Sequence, residues 1–141
     1  MFIKKYLIGI IAFMFIVWPI SCERIEETMV DCNDCIDSYP SVADISIRFS
    51  INEENSIIKF KLYRGSLESN DLIMDGITYL PDWDVRLDVN QYYTVVAEYS
   101  SGGKTIYVVD GTNLRVKLDK SSCDQDCYFI LGDELDARLK Y

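Results

Sequence analysis

Residues 87–109 read LDVNQYYTVVAEYSSGGKTIYVV, and the fold turns on them. Tyr92–Tyr99 (YYTVVAEY) concentrates aromatic and β-branched side chains. These lose rotamer freedom in a helix and pack well on a pleated surface. Ser100-Ser101-Gly102-Gly103 follows, and its glycines accept the positive φ of a tight hairpin. Thr105–Val109 returns with the same composition as the first arm. The stretch predicts two antiparallel strands. A lone hairpin is barely stable in water, so more strands must cover it.

Period-two patterns supply them on both sides. Ile45, Ile47, Phe49 and Ile51 alternate with Ser46, Arg48 and Ser50, as one-faced burial requires. Asn52-Glu53-Glu54-Asn55 is a turn, and Ile58, Phe60 and Leu62 then alternate with Lys59, Lys61 and Tyr63 up to Gly65. This pair looks like a second hairpin. Leu72–Tyr79 is a further strand, distorted near Gly76, and Val85, Leu87 and Val89 make another. Asp110-Gly111 separates Thr105–Val109 from a strand of Leu114, Val116 and Leu118. Tyr128–Leu131 and Leu135–Leu139 close the series. Roughly seven to nine short strands with turn residues between them indicate one antiparallel sandwich or barrel. No stretch after Cys22 sustains a helical period, so the class is all-β.

Leu87-Asp88-Val89-Asn90-Gln91-Tyr92-Tyr93-Thr94-Val95-Val96-Ala97 resembles the entry into the sixth strand of fibronectin type III and immunoglobulin-like domains. The resemblance implies a β-sandwich over about 44–118, in which Tyr93 is the tyrosine-corner residue, its hydroxyl bonding to backbone upstream. Val89 stands where that family usually has Pro, and its early-strand Trp has no match, Phe60 being nearest.

The N-terminus has the layout of an export signal. Lys4 and Lys5 precede an uncharged run from Leu7 to Trp18. That run falls short of the about 20 residues that span a bilayer. Ile20-Ser21-Cys22 resembles a lipobox at its last three positions, with Pro19 where a Leu-like residue is usual. The resemblance implies lipidation of Cys22, with acyl chains such as palmitate holding the protein on a membrane. Residues 1–21 are then the signal helix, 22–43 an irregular acidic tether, and 44–141 the sandwich with a cysteine-containing C-terminal extension. Glu23, Glu26 and Glu27 resemble the surface-export signal of Bacteroidetes lipoproteins, or form a solvated tether. The whole arrangement is similar to small Bacteroidetes lipoproteins, a resemblance that carries no activity with it and implies an outer-membrane, cell-surface location.

Cys32, Cys35, Cys123 and Cys127 remain, spaced C-x2-C and C-x3-C. Export favours disulfides over a four-thiolate zinc site. Local pairs and crossed pairs both fit, and crossed pairs closing loops of about 90 residues stabilise by roughly 4 kcal/mol each. Redox chemistry at Cys32-Asn33-Asp34-Cys35 is disfavoured, because neighbouring acids raise a thiol pKa.

The chain has no histidine, which removes Ser-His and Cys-His nucleophiles and histidine metal ligands. It carries 14 basic against 23 acidic residues, and loss of Lys4 and Lys5 with the signal deepens the imbalance. Such a surface repels nucleic acid. Trp83 between Asp82 and Asp84 suits a sugar contact or a carboxylate-dependent glycan cleavage. The plainer reading is turn chemistry at Pro81-Asp82. Asp82-x-Asp84 and Asp124-x-Asp126 offer oxygens but no complete calcium loop. Tyr63, Tyr79, Tyr92 and Tyr107 are the residues able to build an exposed binding face. The expectation is a non-enzymatic binding or accessory module without cofactor or metal, anchored through Cys22, whose partner is an envelope protein or a glycan. A glycan-processing enzyme and a purely structural lipoprotein are the alternatives.

Overall fold

The computed structural model describes residues 32–120 and 123–140; the signal segment, Cys22 and the acids that follow it lie outside the described residues. Eight strands form two sheets: β1 (Val42–Arg48), β2 (Ile58–Arg64), β3 (Asp71–Thr78), β4 (Asp82–Asp88), β5 (Gln91–Ser101), β6 (Lys104–Asp119), β7 (Cys127–Leu131) and β8 (Glu134–Asp136). One sheet has the order β4-β1-β8 and the other β3-β2-β5-β6-β7. Neighbours are antiparallel except β1 and β8, which run parallel. The chain is an all-β sandwich.

Alternation explains the core. Ile45 and Ile47 of β1 face Ile58, Phe60 and Leu62 of β2 and Tyr93, Val95, Ala97 and Tyr99 of β5, all buried. Phe60 packs against Phe49 (ring centroids 5.1 Å apart) and Trp83 (5.7 Å), joining the two sheets through aromatic rings. Leu114, Leu135 and Ala137 complete the interior. β8 has three residues, and burial of Leu135, worth about 2 kcal/mol, adds to its short ladder in holding it on β1.

Four sequence expectations are corrected. β1 and β2 do not form a hairpin, because they belong to opposite sheets. Asn55 is buried at that crossing, where its amide exchanges hydrogen bonds with the backbone of Ser100 (2.7 and 2.9 Å) and its N–H donates to Asn52 Oδ1. Thr105–Val109 and Leu114–Leu118 are one continuous strand, β6, not two. The Tyr92 hydroxyl lies where a side chain at position 111 would be, so Gly111 is covered and does not turn the chain. The irregularity in β3 falls at the Leu62/Tyr63 register shift, not at Gly76, which sits opposite Phe60 and leaves room for its ring.

The fourth correction concerns the tether. Residues 32–41 are fastened to the domain: Ile36 and Tyr128 exchange backbone hydrogen bonds (3.2 and 3.1 Å), and Val89 N–H donates to the Ser41 carbonyl. Tyr39 meets Tyr128 edge-on at 5.6 Å and accepts a hydrogen bond from Asn90. Strand β1 starts at Val42, two residues before the expected domain boundary.

The hairpin between β5 and β6 has a two-residue loop, Gly102-Gly103, both at positive φ (58° and 75°) as a type I′ turn needs.

Candidate binding face

On β2 the outward residues are Lys59, Lys61 and Tyr63; on β5 they are Tyr92, Thr94, Val96 and Glu98; on β6 they are Tyr107 and Val109. The pairing sets them in rows. Ile77, Lys59, Glu98 and Tyr107 cross the sheet together; Asp75, Lys61, Val96 and Val109 form the next row. Tyr107 is 63% exposed, Ile77 61% and Val109 50%, and Tyr79 just past β3 is 71% exposed. Large apolar groups so exposed and so close together are what interaction surfaces carry. Of the four tyrosines named from the sequence, Tyr63, Tyr92 and Tyr107 lie on the outer face of the five-stranded sheet, and Tyr79 follows β3 in the connection to β4. Ile77, Val96, Val109 and the Lys59–Glu98 and Lys61–Asp75 pairs are not evident from the sequence, because their neighbours are set by register between distant segments.

The face is not flat. Val96 is short, and the longer Lys59, Lys61, Tyr63, Asp75, Glu98 and Tyr107 stand around it, enclosing a groove of about 470 Å³. Lys59 Nζ is 4.0 Å from Glu98 Oε1, and Lys61 Nζ is 3.7 Å from Asp75 Oδ2. All four side chains are well exposed, so these pairs add little stability.

Trp83 does not join this face or its own flanking acids. It lies in β4 with its ring packed on Phe60, and its indole N–H is buried without a hydrogen-bond partner. Asp82 and Asp84 alternate with it and are exposed on the solvent side of the strand. The expected Asp82-Trp83-Asp84 sugar site is therefore split between two faces of one sheet.

Tyr93 is fully buried and donates to the Asp88 carbonyl at 2.8 Å, fixing the turn into β5. Burial raises its pKa, and the Asp88 carboxylate adds to the shift. Tyr99 makes an equivalent but longer-range bond: its hydroxyl donates to the Ala137 carbonyl (2.7 Å) and accepts from Ser50 N–H (3.0 Å). Burial raises its pKa too. Beside it the Asp136 carboxylate is held well below the usual range, first by hydrogen bonds from Arg138 and then from Lys140.

The cysteines pair across the chain, Cys32 with Cys123 (Cα–Cα 5.8 Å) and Cys35 with Cys127 (5.2 Å). Local pairing and a four-thiolate zinc site are both set aside by that connectivity. Cys127 belongs to β7 within the main sheet, so the expected extension is part of the sandwich. Among the described residues, no three of Cys, Asp and Glu converge as a metal site, and no helix is long and apolar enough to cross a membrane. Comparison with protein-family models, with curated proteins and with solved structures gives no match for the chain.

Proposed function

We propose that the protein is a lipid-anchored binding or accessory module of the cell envelope, presenting the outer face of its five-stranded sheet to an envelope protein or a glycan. One observation carries the reading: exposed tyrosines and aliphatic residues of β3, β5 and β6 gather with half-buried Tyr63 of β2 on a single grooved face. The apolar run from Leu7 to Trp18, with Ile20-Ser21-Cys22 just after it, supports attachment through lipid on Cys22, at the outer membrane and on the cell surface. In this reading the disulfides fasten the incoming chain beside β7, at the end of the sandwich opposite the Tyr79 loop. The binding face thus stands clear of the anchored end.

A photo-crosslinking amino acid at Tyr107 or Ile77 tests the face in intact cells. Cross-links to an envelope component from these positions, and none from Arg86 on the other sheet, support it. Equal or absent cross-linking from all three refutes it. Mass spectrometry of the mature N-terminus tests the anchor: diacylglyceryl on Cys22 is expected, and an unmodified thiol removes that part of the proposal.

A further inference from the structure

We propose that the groove between Tyr63 and Tyr107 binds a neutral oligosaccharide, lying diagonally over β2, β5 and β6 and reaching Asp75 on the β3 side of β2. This rests on the binding-module reading and adds the chemistry of the ligand.

The two ion pairs give the first argument. At 4.0 and 3.7 Å they attract, yet both lie beyond the about 2.7–3.2 Å of an N–H···O hydrogen bond. Their charges cancel while the ammonium donors and carboxylate acceptors keep hydrogen-bonding capacity. A hydroxyl accepts from one and donates to the other at once, so each gap suits a sugar hydroxyl. A backbone amide separates its donor and acceptor and fits such a gap less well.

Charge gives the second. Two lysines and two acids line the groove, leaving it balanced on a chain of net charge −9. An anionic polymer is repelled by the surrounding protein, and a cation finds each carboxylate already compensated. A neutral ligand meets neither obstacle.

Shape gives the third. Val96 is the apolar floor, with Tyr63 and Tyr107 at diagonal corners. Tyr107 is two strands from β2, about 10 Å away, and its row lies four residues from Tyr63 along β2, about 13 Å, so the diagonal is about 16 Å. One sugar ring does not reach both tyrosines, whereas a short chain lays an apolar ring face on each.

Amide NMR of the full-length protein in detergent micelles, titrated with maltohexaose, cellohexaose and mannohexaose, tests the proposal. At least one of these is expected to shift Lys61, Tyr63, Val96 and Tyr107, with its monosaccharide binding at least about tenfold more weakly. Tyr107→Ala should weaken binding about tenfold. The charge-neutral double variant Lys61→Met/Asp75→Leu should weaken it similarly, and Arg86→Gln, on the other sheet, should leave it unchanged. The proposal falls if no neutral hexasaccharide moves these amides at millimolar concentration, if hexagalacturonate is preferred, or if the double variant binds like wild type. Should Tyr107 cross-link an envelope protein while every hexasaccharide leaves the groove unmoved, the sugar ligand is wrong and the binding module stands. If neither occurs, both fall.

Discussion

Tyr99→Phe removes one oxygen atom from the core and tests how the sandwich is closed. The Tyr99 ring is 2% exposed, and its hydroxyl joins two segments, Ser50 after β1 and Ala137 after β8. Loss of the hydroxyl leaves the buried Ala137 carbonyl without its donor, at about 1–3 kcal/mol, and loses the net bond to Ser50 N–H, at about 1 kcal/mol. The expected cost is about 3 kcal/mol, a fall in Tm on the order of 10 °C for a domain of this size. Tyr93→Phe is the control. It also loses one hydrogen bond, but to the carbonyl of exposed Asp88, where water substitutes, so about 1 kcal/mol is expected. Urea unfolding with disulfides intact and an unchanged m-value measures both. Hydrogen exchange should show amides 135–139 opening first in Tyr99→Phe. The variant should also flatten the alkaline limb. Burial raises the folded pKa of Tyr99 above the unfolded value near 10, so its contribution is full below about pH 10 and lost as pH rises through the folded pKa. A cost for Tyr99→Phe no larger than that for Tyr93→Phe refutes the reasoning.

Gly132 and Gly102 are both at positive φ, but a Cβ at 132 overlaps the Asn113 carbonyl and one at 102 meets nothing. Gly132→Ala should cost about 3 kcal/mol or more, and Gly102→Asn less than about 0.5 kcal/mol, by the same unfolding assay. Non-reducing peptide mapping should recover Cys32 linked to Cys123 and Cys35 linked to Cys127. Replacing Cys35 and Cys127 by Ala should cost about 2–3 kcal/mol and replacing all four about 7, because the second bridge closes only a small ring once the first has formed. Asp136 is depressed by Arg138 and Lys140, so its contribution is present above the unfolded value near 4 and lost as pH falls through the folded one. The acid limb of stability below about pH 4 should therefore be shallower in Asp136→Asn, read by fluorescence of Trp83.

Local patterns in the sequence were enough for the strands and their buried faces. Ile45 and Ile47, Phe60 and Leu62, and Val95 and Ala97 alternate as they pack, and Gly102-Gly103 turns as its residues require. Pairing was not legible, because it depends on partners far along the chain. Nothing near Asn55 reveals that its amide will meet Ser100, the contact that seats the crossing from β1 to β2. Gly111 carries a turn signal locally, and only the register of β5 on β6 brings Tyr92 over it. The binding face divides the same way. Its tyrosines could be picked out as residue types, whereas the Lys61–Asp75 and Lys59–Glu98 pairs exist only once three strands are aligned.

The parallel pairing of β1 with β8 sets the order in which the chain can become protein. Ile45 and Ile47 are among the first core residues to be synthesised, yet Leu135, which pairs with Ile47, comes almost ninety positions later. The two disulfides span 91 and 92 residues and wait on the same late segment. A chain emerging from a ribosome therefore lacks the third strand of the β4-β1-β8 sheet and both disulfides until that segment arrives. Residues 123–137 then complete both sheets, adding β7 to one and β8 to the other, and bring the cysteines that fasten the start of the chain.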